Sequence, residues 1–101
     1  MMMASDSSLP PGRLDDASLD ALRRALRAYL HDSEDASGLQ AALGLVSTEA
    51  RARHILPEQL LVMLKELWNT LPEVRAMTDA GEQVRLLQRV VTMCIREYYH
   101  A

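Results

Sequence analysis

The chain has 101 residues, 49% of them hydrophobic and 4% aromatic with no Phe, and 14 acids against 11 Lys and Arg give a formal net charge of −3. This length supports one domain with one core, and a composition built on Leu and Ala favours helices over a sheet, which would ask for more aromatic and β-branched residues. The acidic balance excludes a general pull toward DNA or an anionic membrane, and the single cysteine, Cys94, excludes an internal disulfide and fits a reducing, cytoplasmic setting.

Residues 1–14 are rich in Ser, Pro and Gly and carry no periodic apolar set, which predicts a flexible N-terminal arm ahead of a single helical domain over 15–101. The start has neither a basic nor an apolar leader region, and no run of about 18 apolar residues follows, so neither a signal peptide nor a membrane span is expected. A first helix is predicted over 16–30, with Leu19, Leu22, Leu26, Tyr29 and Leu30 on one side and Asp20, Arg23, Arg24 and Arg27 on another. Asp15, Asp16 and Ser18 are all competent N-caps. The connector 31–38 is acidic, and Asp32, Glu34 and Asp35 lack the Gly and Glu spacing of a calcium loop, so it reads as a solvated turn.

A second helix is predicted over 36–54. Leu39, Ala42, Leu43, Val46 and Ala50 form its main stripe, and Ala41, Leu45 and Ala52 form a smaller apolar patch. Gly44 either admits another helix closely or weakens this one, and with Ser47 and Thr48 beside it the segment is a candidate for a break into two shorter helices. Arg51 and Arg53 suit the negative end of the helix, and His54, with no second ligand at helical spacing, reads as a capping or surface residue.

The third predicted helix, 57–71, is the most apolar segment and the expected centre of the fold. At 100° per residue Leu60, Leu61, Met63, Leu64, Leu67, Trp68 and Leu71 share one broad arc, the core or an apolar interface for a partner helix. Pro57 suits its first position and Pro72 closes it. Residues 72–77 form a turn or one helical turn, and a fourth helix is predicted over 79–99, opened by Thr78 and Asp79 with Glu82 close to a capping box. Its expected apolar side is Val84, Leu87, Val90, Val91, Cys94, Ile95 and Tyr98, flanked by Leu86 and Met93. Arg85, Arg89 and Arg96 fall opposite, first as a solubilising edge and second as a fork-bearing surface for anions. Tyr98, Tyr99 and His100 look like a terminal anchor.

No phosphate loop, zinc pattern, nucleophile elbow or Ser/His/Asp set can be assembled, and Cys94 lies on the apolar side of its helix, so no catalytic or metal residue and no cofactor is assigned. The stretches 56–60 and 90–99 resemble parts of small bacterial proteins of unknown function, which implies no activity. The expectation is an all-α bundle of about four helices acting as a non-enzymatic protein–protein interaction or regulatory module. Self-association as a homodimer is expected because the apolar arcs of helices two, three and four exceed what a small monomer covers. The alternative is a nucleic-acid or anion-binding module using Arg85, Arg89 and Arg96, with Arg51 and Arg53 as possible additions. A third reading holds a small apolar ligand near Trp68.

Overall fold

The structure is a computed structural model and describes residues 13–99. The described residues form five helices and no strand: α1 (Asp16–His31), α2 (Ser37–Ala52), α3 (Pro57–Asn69), α4 (Pro72–Arg75) and α5 (Ala80–Tyr99). Four are the expected ones, and α4 is the single turn allowed between residues 72 and 77. Pro72 at its first position presets the helical φ, and Leu71 accepts the bonds from the Val74 and Arg75 N–H groups. No described helix is long and apolar enough to cross a membrane.

The helices close into a ring in which α2 packs on α1 and α5, and α3 packs on α5 and α1. Each contributes one stripe to the core: Leu22, Leu26 and Tyr29 from α1; Leu39, Leu43, Val46 and Ala50 from α2; Leu60, Leu64, Leu67 and Trp68 from α3; Leu86, Val90 and Cys94 from α5. The α3 arc is therefore mostly interior, with Leu71 buried at its end and Leu61 and Met63 half-buried at its margins. Leu14, placed by the sequence in the N-terminal arm, is 1% exposed and belongs to this core. One leucine surrounded by polar residues has no periodic signal of its own. The rest of the expected arm, residues 1–12, and His100 of the expected terminal anchor lie outside the described residues.

The helix expected over 36–54 is continuous: α2 runs unbroken through residues 44–48, where the sequence also allowed a break. Gly44 admits a close approach instead: a Cβ there would stand 3.1 Å from the Oε1 atom of Glu97 on α5. Thr48 turns its hydroxyl onto the Gly44 carbonyl at 3.0 Å, a bond made within the helix.

The helix ends are closed in different ways. At the end of α2 the Ile55 N–H reaches the Ala50 carbonyl at 2.8 Å and the His54 N–H reaches Arg51 at 3.2 Å, with His54 at φ +60. This is a Schellman closure, in which the left-handed residue is usually Gly. At α5 the Asp79 carboxylate accepts the N–H groups of Gly81 and Glu82. At α3 the Gln59 side chain accepts the Leu56 N–H at 2.9 Å, while the Leu56 side chain has no oxygen to return the bond. Of the three N-cap candidates for α1 the structure takes Asp15, whose side chain makes no capping bond.

One feature of α5 departs from the sequence pattern. Val84 and Ile95, assigned to its apolar side, are 54% and 39% exposed, while Leu86, assigned to the flank, is buried. The apolar arc of this helix is wider than the core can take, and packing against α2 and α3 selects the edge centred on Val90.

Candidate functional site

That choice of edge determines where the arginines stand. Measured from the expected apolar side, Arg85, Arg89 and Arg96 lie roughly 160° around the helix; measured from the side the core takes, they lie roughly 120° away, at 100° per residue. They flank the core and do not oppose it. As a result they line one wall of an open groove of about 480 Å³, whose other side comes from Tyr29 at the end of α1 and Ala36 just before α2. Met93 lies on the inner edge of the arginine row, and Gln88 and Thr92 on its outer edge.

All three guanidinium groups are exposed, and none has a hydrogen bond or an acid within 4 Å among the described residues. Four other arginines are engaged. Arg23 pairs with Asp20 at 2.6 Å, and Arg27 places its Nε 2.9 Å from Glu73, which also lies 3.1 Å from His31. The Arg27 bond leads the interactions that hold the Glu73 carboxyl below its ordinary value. Arg53 binds Glu49 at 3.0 Å, and Arg51 donates to the Tyr98 carbonyl at 2.6 Å, so neither joins the groove. Arg13, Arg24, Lys65 and Arg75 are also without an acid among the described residues, but they line no part of this groove.

The Tyr29 ring is 3% exposed, and its hydroxyl bonds to no described residue. The ring also separates the groove from a smaller depression beside Asp32 and Asp35. Those acids are turned to local work: Asp35 accepts the Ser37 hydroxyl at 2.7 Å and its N–H at 3.1 Å, which lowers its carboxyl below the ordinary value, and Asp32 accepts the Glu34 N–H at 3.3 Å. Among the described residues no three His, Cys, Asp or Glu side chains stand where they could share a metal ion.

Sequence periodicity found the three arginines and missed Tyr29 and Ala36, which enter the site only through the turn that folds α2 back on α1. Of the residues proposed as core or interface, Leu60, Leu64, Leu67, Trp68 and Leu71 are buried in the core, and Leu61 and Met63 stay half-buried at its margin. His54 makes its contribution through its backbone, as a capping position. Cys94 is buried, and burial pushes its thiol up to about 11. Comparison with protein-family models, with curated proteins and with solved structures gives no match for this chain.

Proposed function

We propose that this protein is an anion-binding module whose site is the groove between α5 and the α1–α2 corner. The observation that carries this reading is the row itself: Arg85, Arg89 and Arg96 stand together on one groove wall with no acid within 4 Å among the described residues, whereas Arg23, Arg27 and Arg53 each pair with one. Arginine presents a planar fork of donors that suits phosphate and carboxylate, and an unpaired row has no internal ion pair to break before a ligand binds. Titration of the protein with pyrophosphate at low and high salt tests this. Binding should weaken with salt, and Arg89→Glu should reduce the affinity more than about tenfold, which corresponds to 1.4 kcal/mol. Equal binding by the variant, or no binding at low salt, discards the reading.

A second reading, homodimerisation, draws on a different observation. Val84 and Ile95 are exposed along one line of α5 with the half-buried Val91 between them, and Leu45 on α2 is 73% exposed. Light scattering across protein concentration should show a dimer that Ile95→Glu dissociates. A monomer at every concentration overturns it.

A further inference from the structure

Building on the anion-binding reading, we infer that the groove takes a compact phosphate monoester carrying an apolar or aromatic body, and not a polymeric polyanion. Charge and surroundings both point this way. Three arginines without acids suit a phosphate monoester of charge near −2 with three acceptor oxygens better than a lone carboxylate. Arg85 and Arg89 are one turn apart on α5, so their side chains can converge on one phosphate. Inward of them the surface changes character, to the half-buried Met93 and Ala36 side chains over the buried Tyr29 ring, which offer an apolar bed for the rest of the molecule. A groove of about 480 Å³ is of small-molecule size.

A long polyanion meets a different field. Asp32, Glu34 and Asp35 occupy the α1–α2 connector that carries Ala36 of the groove's far wall, and a strand running past Ala36 would cross these acids. The buried Tyr29 ring presents no free face for a base to stack on, which removes the usual stacking platform of single-strand binders. Like charges at one end therefore limit the ligand to the length of the arginine row.

The test is titration of the whole protein at low salt, followed by calorimetry and by amide NMR shifts, with inorganic phosphate, phenyl phosphate, hexyl phosphate, adenosine monophosphate, adenosine and a short single-stranded RNA. At least one of the three monoesters should bind about tenfold or more tighter than inorganic phosphate, with shifts on both α5 and the Tyr29–Ala36 segment. The Arg85→Gln/Arg89→Gln variant should lose that preference while its circular dichroism is unchanged. Which monoester binds best separates a nucleotide from an alkyl phosphate source. Monoesters no tighter than inorganic phosphate, adenosine binding as well as its monophosphate, or RNA binding more tightly than every monoester would overturn this inference and leave the anion site standing. No binding by any anion overturns the site itself.

Discussion

The backbone N–H of Asp15 donates to the carboxylate of Glu49, 34 residues along the chain, at 2.8 Å. The Ser18 hydroxyl donates to the other oxygen of the same carboxylate, and the Arg53 Nε lies 3.0 Å from the oxygen that takes the Asp15 N–H. Glu49 therefore takes from α2 the N-cap N–H that a Glu or Gln at the third helical position takes in a capping box, and it places a negative charge at the positive end of α1. Glu49→Ala should destabilise the fold by about 1–2 kcal/mol, in the range of a lost cap. Urea denaturation monitored at Trp68 measures this, and Ser18→Ala should lose a smaller share of it.

The same group gives acid sensitivity a definite sign. Partial burial raises the Glu49 carboxyl, but the bonds from Ser18, Asp15 and Arg53 together outweigh it and leave the folded value below the ordinary one. Its contribution is then fully present above the unfolded value, about 4.3, and is lost as pH falls through the lowered folded value. Wild type should lose stability between about pH 5 and pH 3 more steeply than Glu49→Gln. Parallel stability curves for the two proteins would remove Glu49 from this role.

His54 sits at φ +60, a region that costs a side-chain-bearing residue about 1–2 kcal/mol and glycine nothing. Its side chain is exposed, and no described residue hydrogen-bonds to it. His54→Gly should therefore stabilise the fold by about 0.5–1 kcal/mol after glycine's greater freedom in the unfolded chain is counted. His54→Val should destabilise it by at least about 1 kcal/mol, because a β-branched residue is least tolerant of this conformation. Thermal unfolding of the pair measures both signs in one experiment.

Ser47 is 0% exposed, and its hydroxyl has no partner among the described residues. A buried hydroxyl without a bond costs about 1–3 kcal/mol, and alanine also has the higher helix propensity. Ser47→Ala should raise stability by about 1 kcal/mol, a gain of roughly 4–8 °C in melting temperature for a domain of this size. A loss of stability would show that the hydroxyl has a partner in solution.

Most of the fold was legible because its signals are local. Prolines at 57 and 72, the Asp79 cap and the stripes of α1 and α3 each stand within one helix and mark its ends or its buried face. The setting of α5 was not legible, since Leu86, Leu87, Val91 and Ile95 together form an arc broad enough to face the core in more than one rotation. Only the positions of α2 and α3 decide among those rotations, and they are fixed by residues distant in sequence. The groove inherits this limit: its arginines were visible as a row, and its opposite wall was not. Glu49 was missed for the same reason, because nothing local to α2 shows that a carboxylate there will meet the N–H of Asp15.

The setting of α5 can be tested by truncating the two residues that exchange roles. Leu86→Ala should cost about 2–3 kcal/mol as a large-to-small core change, and Val84→Ala should stay within about 0.5 kcal/mol as a surface one. The apolar side expected from sequence ranks them the other way, with Val84 inside and Leu86 at the margin. Denaturant midpoints of the two variants therefore decide which edge of α5 the core holds.

Cys94 supplies a reporter for all of these changes. Its thiol is buried between α5 and the rest of the core, and burial pushes its pKa up to about 11, so the folded state presents almost no thiolate to solvent. Labelling by a thiol reagent such as DTNB must then wait for the helix to open. When reclosing is fast relative to labelling, the observed rate follows the population of the open state, and each 1.4 kcal/mol of lost stability should raise it about tenfold. Leu86→Ala should label tens of times faster than wild type, Val84→Ala about as fast, and Ser47→Ala more slowly. Rapid labelling of the wild-type protein under native conditions would mean that α5 leaves the core locally, without the rest of the bundle unfolding.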